Sequence, residues 1–207
     1  ALKSKTGFIP KKSAPKQKQV SVDNIESNSN LLMKVLMNKK NFKTIADAEQ
    51  NIPDVPGIYC IRIKNIKVLD TVFSNVLNQR NHNIIYLGIA SKSLRKRFLG
   101  QELRAKGHGT FFRSFGAVLG YVPEEGSLIG KRNQNNYKFS VKDEQKIIEW
   151  IDENLIINWV PVTDNLNFIE KELINEHLPL LNIGGNPAAL NNVRVLRDRC
   201  KQIARGN

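Results

Sequence analysis

The chain has 207 residues, 41% of them hydrophobic, with a net charge of +13 and a pI near 9.8. That length fits one domain with appendages and a sizeable core. The basic balance points to a polyanionic partner, nucleic acid before an anionic membrane surface.

No run of about 18 apolar residues is present, so no membrane span is expected. The lysine-rich start lacks the apolar centre of a secretory signal. Cys60 and Cys200 are too few for a disulfide framework or a zinc site, and an intracellular protein is expected, cytoplasmic or nucleoid-associated.

Residues 1–22 are rich in Lys, Ser and Pro, with few large apolar groups. Burial there cannot offset the entropy of ordering, so a flexible basic arm is expected. A helix is expected from about Asn30, with Leu31, Leu32, Val35 and Leu36 on one side. Residues 1–42 thus form an arm with a short helix. "TIADAEQNI" reads as a short helix ending before Pro53. "GIYCIRI" and "NIIYLGIA" read as strands. Residues 64–83 between them are an insertion with a short helix around "DTVFSNVLNQ", expected to project from the sheet edge.

"SLRKRFLGQELRAK" reads as a basic amphipathic helix, with Leu94, Phe98, Leu99 and Leu103 near helical spacing. "TFFRSFGAVLGYV" is a second helix, and "GSLIGKRNQNNYKF" a polar loop. Ser140-Val-Lys-Asp143 caps the next helix. "IINWVPV" is a third strand, and "LNFIEKELINEHL" a helix stopped by Pro179. After the turn-rich "LLNIGGNP", "NNVRVLRDRCKQIAR" is a last basic helix. The class is α/β (α+β), a small three-stranded mixed sheet flanked by helices, without the long alternation of a dinucleotide-binding fold. The core domain is expected over 43–187, followed by a basic C-terminal helix over 188–207.

Several motifs fail. "GSLIGKR" at 126–132 has too short a spacing between its glycines for a phosphate loop, and Arg132 stands where a Ser or Thr belongs. His82, His108 and His177 lack metal-ligand spacing. No Gly-x-Ser-x-Gly elbow exists.

Glu170 falls on the stripe of Leu166, Ile169, Leu173 and Ile174. A carboxylate on an apolar face costs free energy unless something pairs with it. A capping box, Asn167 to Glu170, is an equal alternative. Tyr59 and Tyr86, each near a glycine on neighbouring strands, are ordinary strand residues if taken singly. Arg95, Lys96 and Arg97 fit a solvated helix face equally well.

As an ordered set these residues resemble the GIY-YIG nuclease superfamily. The resemblance rests on "GIY" at 57–59, "YLG" at 86–88, "SLRKRF" behind it and "EKELINEHLPLLN" at 170–182. It covers roughly residues 53–187. It implies a metal-dependent endonuclease cutting DNA, most naturally double-stranded, with Mg²⁺ or Mn²⁺ and no small-molecule cofactor. Restriction, repair, recombination and mobile-element roles all fit it. It gives Glu170 the metal, and Tyr59 the activation or orientation of the attacking water, with Tyr86 beside it. Arg97 would grip the phosphate, with Arg95 as second choice, and Asn182 would hold local geometry. Some members place a His or Tyr one helical turn beyond the arginine. Here Gln101 stands in that place: either the role is absent or another group supplies it, His108 being the candidate. Lys11, Lys12, Arg104, Lys106, Arg113, Lys131 and Arg132 would contact phosphates along the duplex without reading sequence. The alternative is a non-catalytic nucleic-acid-binding protein that keeps the fold.

Overall fold

The computed structural model describes residues 22–207, with side chains from Asn30 onward. The expected flexible arm, with Lys11 and Lys12, lies outside the described residues.

Four strands form one sheet in the order β1-β4-β2-β3, and every pairing is antiparallel. They are β1 (Lys43–Thr44), β2 (Gly57–Ile63), β3 (Ile84–Ala90) and β4 (Leu155–Pro161). The expectation of three strands in a mixed sheet is thereby corrected. β1 is two residues long, too short for an alternating pattern to show in sequence, yet it pairs with Ile156 and Ile157 at the outer edge of β4. Strand direction is set by how connections return the chain, which hydropathy does not encode.

β2 is buried along its whole length. Its run, apolar but for Arg62, has the composition of a strand covered on both faces. Tyr59, Ile61 and Ile63 point into the larger core, while Ile58 and Cys60 point into the smaller one. The smaller core is closed by α1 (Val22–Met37) and α6 (Leu166–His177), through Leu36, Ile169, Leu173 and Ile174. α1 begins earlier than Asn30. It turns Leu32, Met33 and Leu36 toward the core, leaving Leu31 and Val35 exposed.

The short α2 (Ile45–Ala48) opens on a Thr44 cap. α3 (Thr71–Gln79) folds back and buries Phe73 and Leu77 in the larger core, so the 64–83 insertion is part of the packing. α4 (Thr110–Val118), α5 (Val141–Asn154) and α7 (Asn191–Arg205) complete that layer. The Ser140 hydroxyl accepts the Asp143 amide at the start of α5, as its sequence predicts. The Gly126 and Leu128 amides donate to Ile203 and Ala204 at the end of α7. "GSLIGKR" is therefore a dock for the last helix. Among the described residues no helix is long and apolar enough to cross a membrane.

Candidate active site

Tyr59 lies directly opposite Gly88 across β2 and β3, and Tyr86 is two residues along the same face from Gly88. Diagonal neighbours on one sheet face can touch, and the two rings sit with centroids 6.3 Å apart. A Cβ at Gly88 would lie 2.6 Å from the Tyr59 hydroxyl oxygen and 2.9 Å from the Tyr86 ring. The glycine of "YLG" is thus the floor on which the Tyr59 hydroxyl rests. Tyr59 is fully buried and stacks on Phe98 at 4.2 Å. Tyr86 packs against Phe111 at 5.5 Å.

The segment expected as an α-helix is a π-helix over Arg95–Leu103. Its i→i+5 bonding widens each turn. The apolar pairs Leu94–Leu99 and Phe98–Leu103 fit that period, and all four side chains are buried. This geometry turns Arg97 toward the tyrosines, whereas Arg95 is exposed and donates to the Gln50 carbonyl at 3.1 Å. Arg97 donates to Gln101 Oε1 at 2.7 Å and pairs with Glu102 Oε1 at 2.9 Å.

Glu102 did not stand out in the sequence. Counting α-helical turns from Arg97 leads to Gln101; the wider turn brings the next residue inward as well. Its carboxylate is completely buried. Oε2 accepts the amides of Phe111 and Phe112, at 2.9 and 3.4 Å, while Oε1 faces Arg97 and the Tyr59 hydroxyl, the latter at 3.4 Å. A Cβ at Gly109 would come within 2.5 Å of Oε2.

Charges and burial oppose each other here. Burial, the Glu102 carboxylate and Tyr86 push the Tyr59 phenol well above its ordinary range, against the pull of Arg97. Burial also raises Tyr86, helped by Glu102 and Glu170 and opposed by Arg97 and Arg197. Burial works against charge on Arg97, but Glu102 and the two tyrosines outweigh it and hold the guanidinium above its usual range. Burial raises the Glu102 carboxyl, restrained by Arg97 and the amides of residues 110–112. The Phe111 and Phe112 amides, Arg97 and the Tyr59 hydroxyl all direct hydrogens at its oxygens, surroundings that favour an ionised carboxylate.

Glu170 is half-buried on α6. Burial lifts its carboxyl above the ordinary carboxylate range and Arg97 pulls it back. The capping alternative does not form: α6 starts at Leu166 behind Asn165 in the left-handed region, so Asn167 lies inside the helix. Among the described residues no three His, Cys, Asp or Glu cluster into a metal centre. A lone hard oxygen donor suits a cation that keeps waters and substrate oxygens in its shell.

Asn182 is buried beside β3. Its Oδ1 accepts the Leu87 amide at 3.0 Å and its Nδ2 donates to the Leu87 carbonyl at 2.8 Å. Leu180 and Leu181 donate to Ile84 and Ile85. The return after α6 thus covers the outer edge of β3 and ties α6 to the strand that carries Tyr86.

His108 does not join this group. It lines a separate cavity of about 530 Å³ with Lys131, Asn136 and Lys138. Arg104 is held by Glu49 at 2.7 Å and Asp152 at 2.9 Å. Arg113 is buried, donates to Asn136 Oδ1 at 2.6 Å and keeps an Nε without a partner among the described residues. Arg197 on α7, which sequence reasoning also missed, has a buried Nε without a partner among the described residues and acts electrostatically on both Arg113 and Tyr86. A basic tail gives no signal for which of its arginines turns inward. Lys106, Lys131 and Arg132 are exposed.

A family model described as the GIY-YIG catalytic domain matches residues 57–201. No curated protein and no solved structure gives a significant match.

Proposed function

The chain belongs to the GIY-YIG catalytic-domain family, and from that premise we propose that it is a metal-dependent endonuclease that hydrolyses DNA. The observation that carries this reading is the grouping of Tyr59, Tyr86 and Arg97 from three different elements, with the two rings 6.3 Å apart and Arg97 and the Tyr59 hydroxyl sharing Glu102 Oε1, and with Glu170 acting electrostatically on Tyr86 and on Arg97. Packing alone has no need of two phenols, a guanidinium and a half-buried carboxylate together.

Glu170 would hold Mg²⁺ or Mn²⁺; the bound cation would supply charge stabilisation at the phosphate and the leaving oxygen. Arg97 is fixed by Gln101 and Glu102, and a guanidinium so fixed offers a phosphate its remaining N–H groups in a rigid array. Tyr59 would orient the attacking water, with Tyr86 beside it. Asn182 positions rather than reacts, because both ends of its amide engage the backbone of Leu87. Exposed Lys106, Lys131 and Arg132 and the basic arm would follow the phosphate backbone of a duplex.

Plasmid DNA incubated with the protein and Mg²⁺ should be cut, and a chelator should stop the cutting. Glu170→Ala should abolish cleavage while DNA binding and the melting temperature stay near wild type. Retained binding with no cutting by the wild type in either metal would favour the non-catalytic alternative.

A further inference from the structure

We propose that Glu102 serves as the base behind Tyr59: it holds the phenol's only proton on its own side, so that Tyr59 presents lone pairs to water, and it receives that proton when Tyr59 takes one. This deepens the nuclease reading and rests on it.

The two oxygens of Glu102 do different things. Oε2 caps α4, whose N-cap is Gly109 and offers no side chain. That is a structural role, and it uses one oxygen. Oε1 makes no contribution to the cap. It is aimed at Arg97, 2.9 Å away, and at the Tyr59 hydroxyl, 3.4 Å away. The second contact is long for an O–H···O bond, as catalytic hydrogen bonds often are before substrate tightens them. A carboxylate is almost never fully buried unless it is engaged on all sides, and here the cap accounts for only half of it.

Tyr59 cannot be the final base. An unperturbed phenol titrates near 10, and burial moves this one further up. Tyrosinate is therefore scarce at neutral pH, whereas a relay keeps Tyr59 neutral throughout. Burial moves Glu102 the useful way, upward from the ordinary carboxylate range, and a base is more effective as its pKa nears the working pH.

The step balances. One O–H bond of water breaks and its proton passes to the Tyr59 oxygen, while the Tyr59 O–H bond breaks and its proton passes to Glu102 Oε1. The water oxygen bonds to phosphorus. The bond to the leaving oxygen breaks, and that oxygen keeps the electron pair and takes a proton from solvent. Glu102 later returns its proton to solvent.

The test is single-turnover cleavage of a duplex by Glu102→Gln and Glu102→Asp, measured against pH at two Mg²⁺ concentrations. The groups facing Glu102 are Tyr59 from β2, Tyr86 from β3, Arg97 from the π-helix and Arg113 from α4. The ionisation of Glu170 moves with Mg²⁺, because metal and proton compete for a ligand; that of Glu102 does not. Glu102→Gln should slow cleavage by about 10²–10⁴-fold, leave DNA affinity within a few-fold, and remove the Mg²⁺-independent ionisation from the acid limb. Glu102→Asp should regain part of the rate and restore that ionisation at lower pH. A Gln variant that is slow but keeps the ionisation would reduce Glu102 to a cap and an anchor for Arg97. If the Gln variant does not fold, Glu102→Asp decides: an acid limb identical to wild type overturns the proposal. Wild type that cuts no DNA removes the nuclease reading and this proposal together; wild type and Gln variant cutting alike removes this proposal alone.

Discussion

Gly88 and Tyr59 meet across two strands, and the contact makes the glycine testable. A Cβ placed 2.6 Å from the hydroxyl oxygen must displace it. Gly88→Ala should therefore lower single-turnover cleavage sharply while DNA affinity holds, and Tyr59→Phe should lose about 10²–10⁴-fold, the scale of general acid–base catalysis. Only one polar atom leaves with Tyr59→Phe and no cavity opens, so its melting temperature should stay near wild type. A Tyr59→Phe rate within a few-fold of wild type would take the phenol out of the chemistry. The two arginines separate in the same assay. Arg97→Ala removes a group bonded inside the site; Arg95→Ala removes an exposed one bonded to the Gln50 carbonyl. The first should cripple cleavage and the second leave it nearly intact.

The element that most changes the site is the π-helix. Its sequence carries the apolar positions of a helix, and these are compatible with either winding: Leu94–Phe98 and Leu99–Leu103 are α-spaced, while Leu94–Leu99 and Phe98–Leu103 are π-spaced. What selects the wider turn is the need to bury Phe98 under Tyr59 while Glu102 reaches the start of α4. The other deciding element is the return along β3. Asn182→Ala would leave the buried amide and carbonyl of Leu87 without partners. Unfolding by denaturant should show a loss of about 2–6 kcal/mol, from roughly 1–3 kcal/mol for each of the two orphaned groups. Asn182→Asp keeps the acceptor but sets a charge against the Leu87 carbonyl, and should be no better than Ala. A loss within measurement error for both would mean that Leu180 and Leu181 hold the segment by themselves.

Across the whole molecule the excess of positive charge is the main lever. Lys106, Lys131 and Arg132 are exposed and, with the arm, would contact phosphates, while Arg104 is neutralised by Glu49 and Asp152. Deleting residues 1–22 should weaken DNA binding and flatten the slope of log affinity against log salt by about 0.9 for each lost phosphate contact. Arg104→Gln should change that slope little and reduce stability instead. Binding titrations at several salt concentrations check both statements.

The fold family, the positions of β2, β3 and β4 and those of most helices were legible in the sequence, because local periodicity and motif order are written along the chain; motif order also singled out Tyr59, Tyr86, Arg97, Glu170 and Asn182 as candidates. Strand direction and the two-residue β1 were not, since pairing is decided by where connections return the chain. Glu102 and Arg197 were hidden for a related reason. Each looks like one more charge on a polar helix, and only the winding of the π-helix and the docking of α7 turn them toward the tyrosines. Burial then gives their charges weight: a carboxylate that water would screen on a surface faces a phenol and a guanidinium in a medium of low polarity.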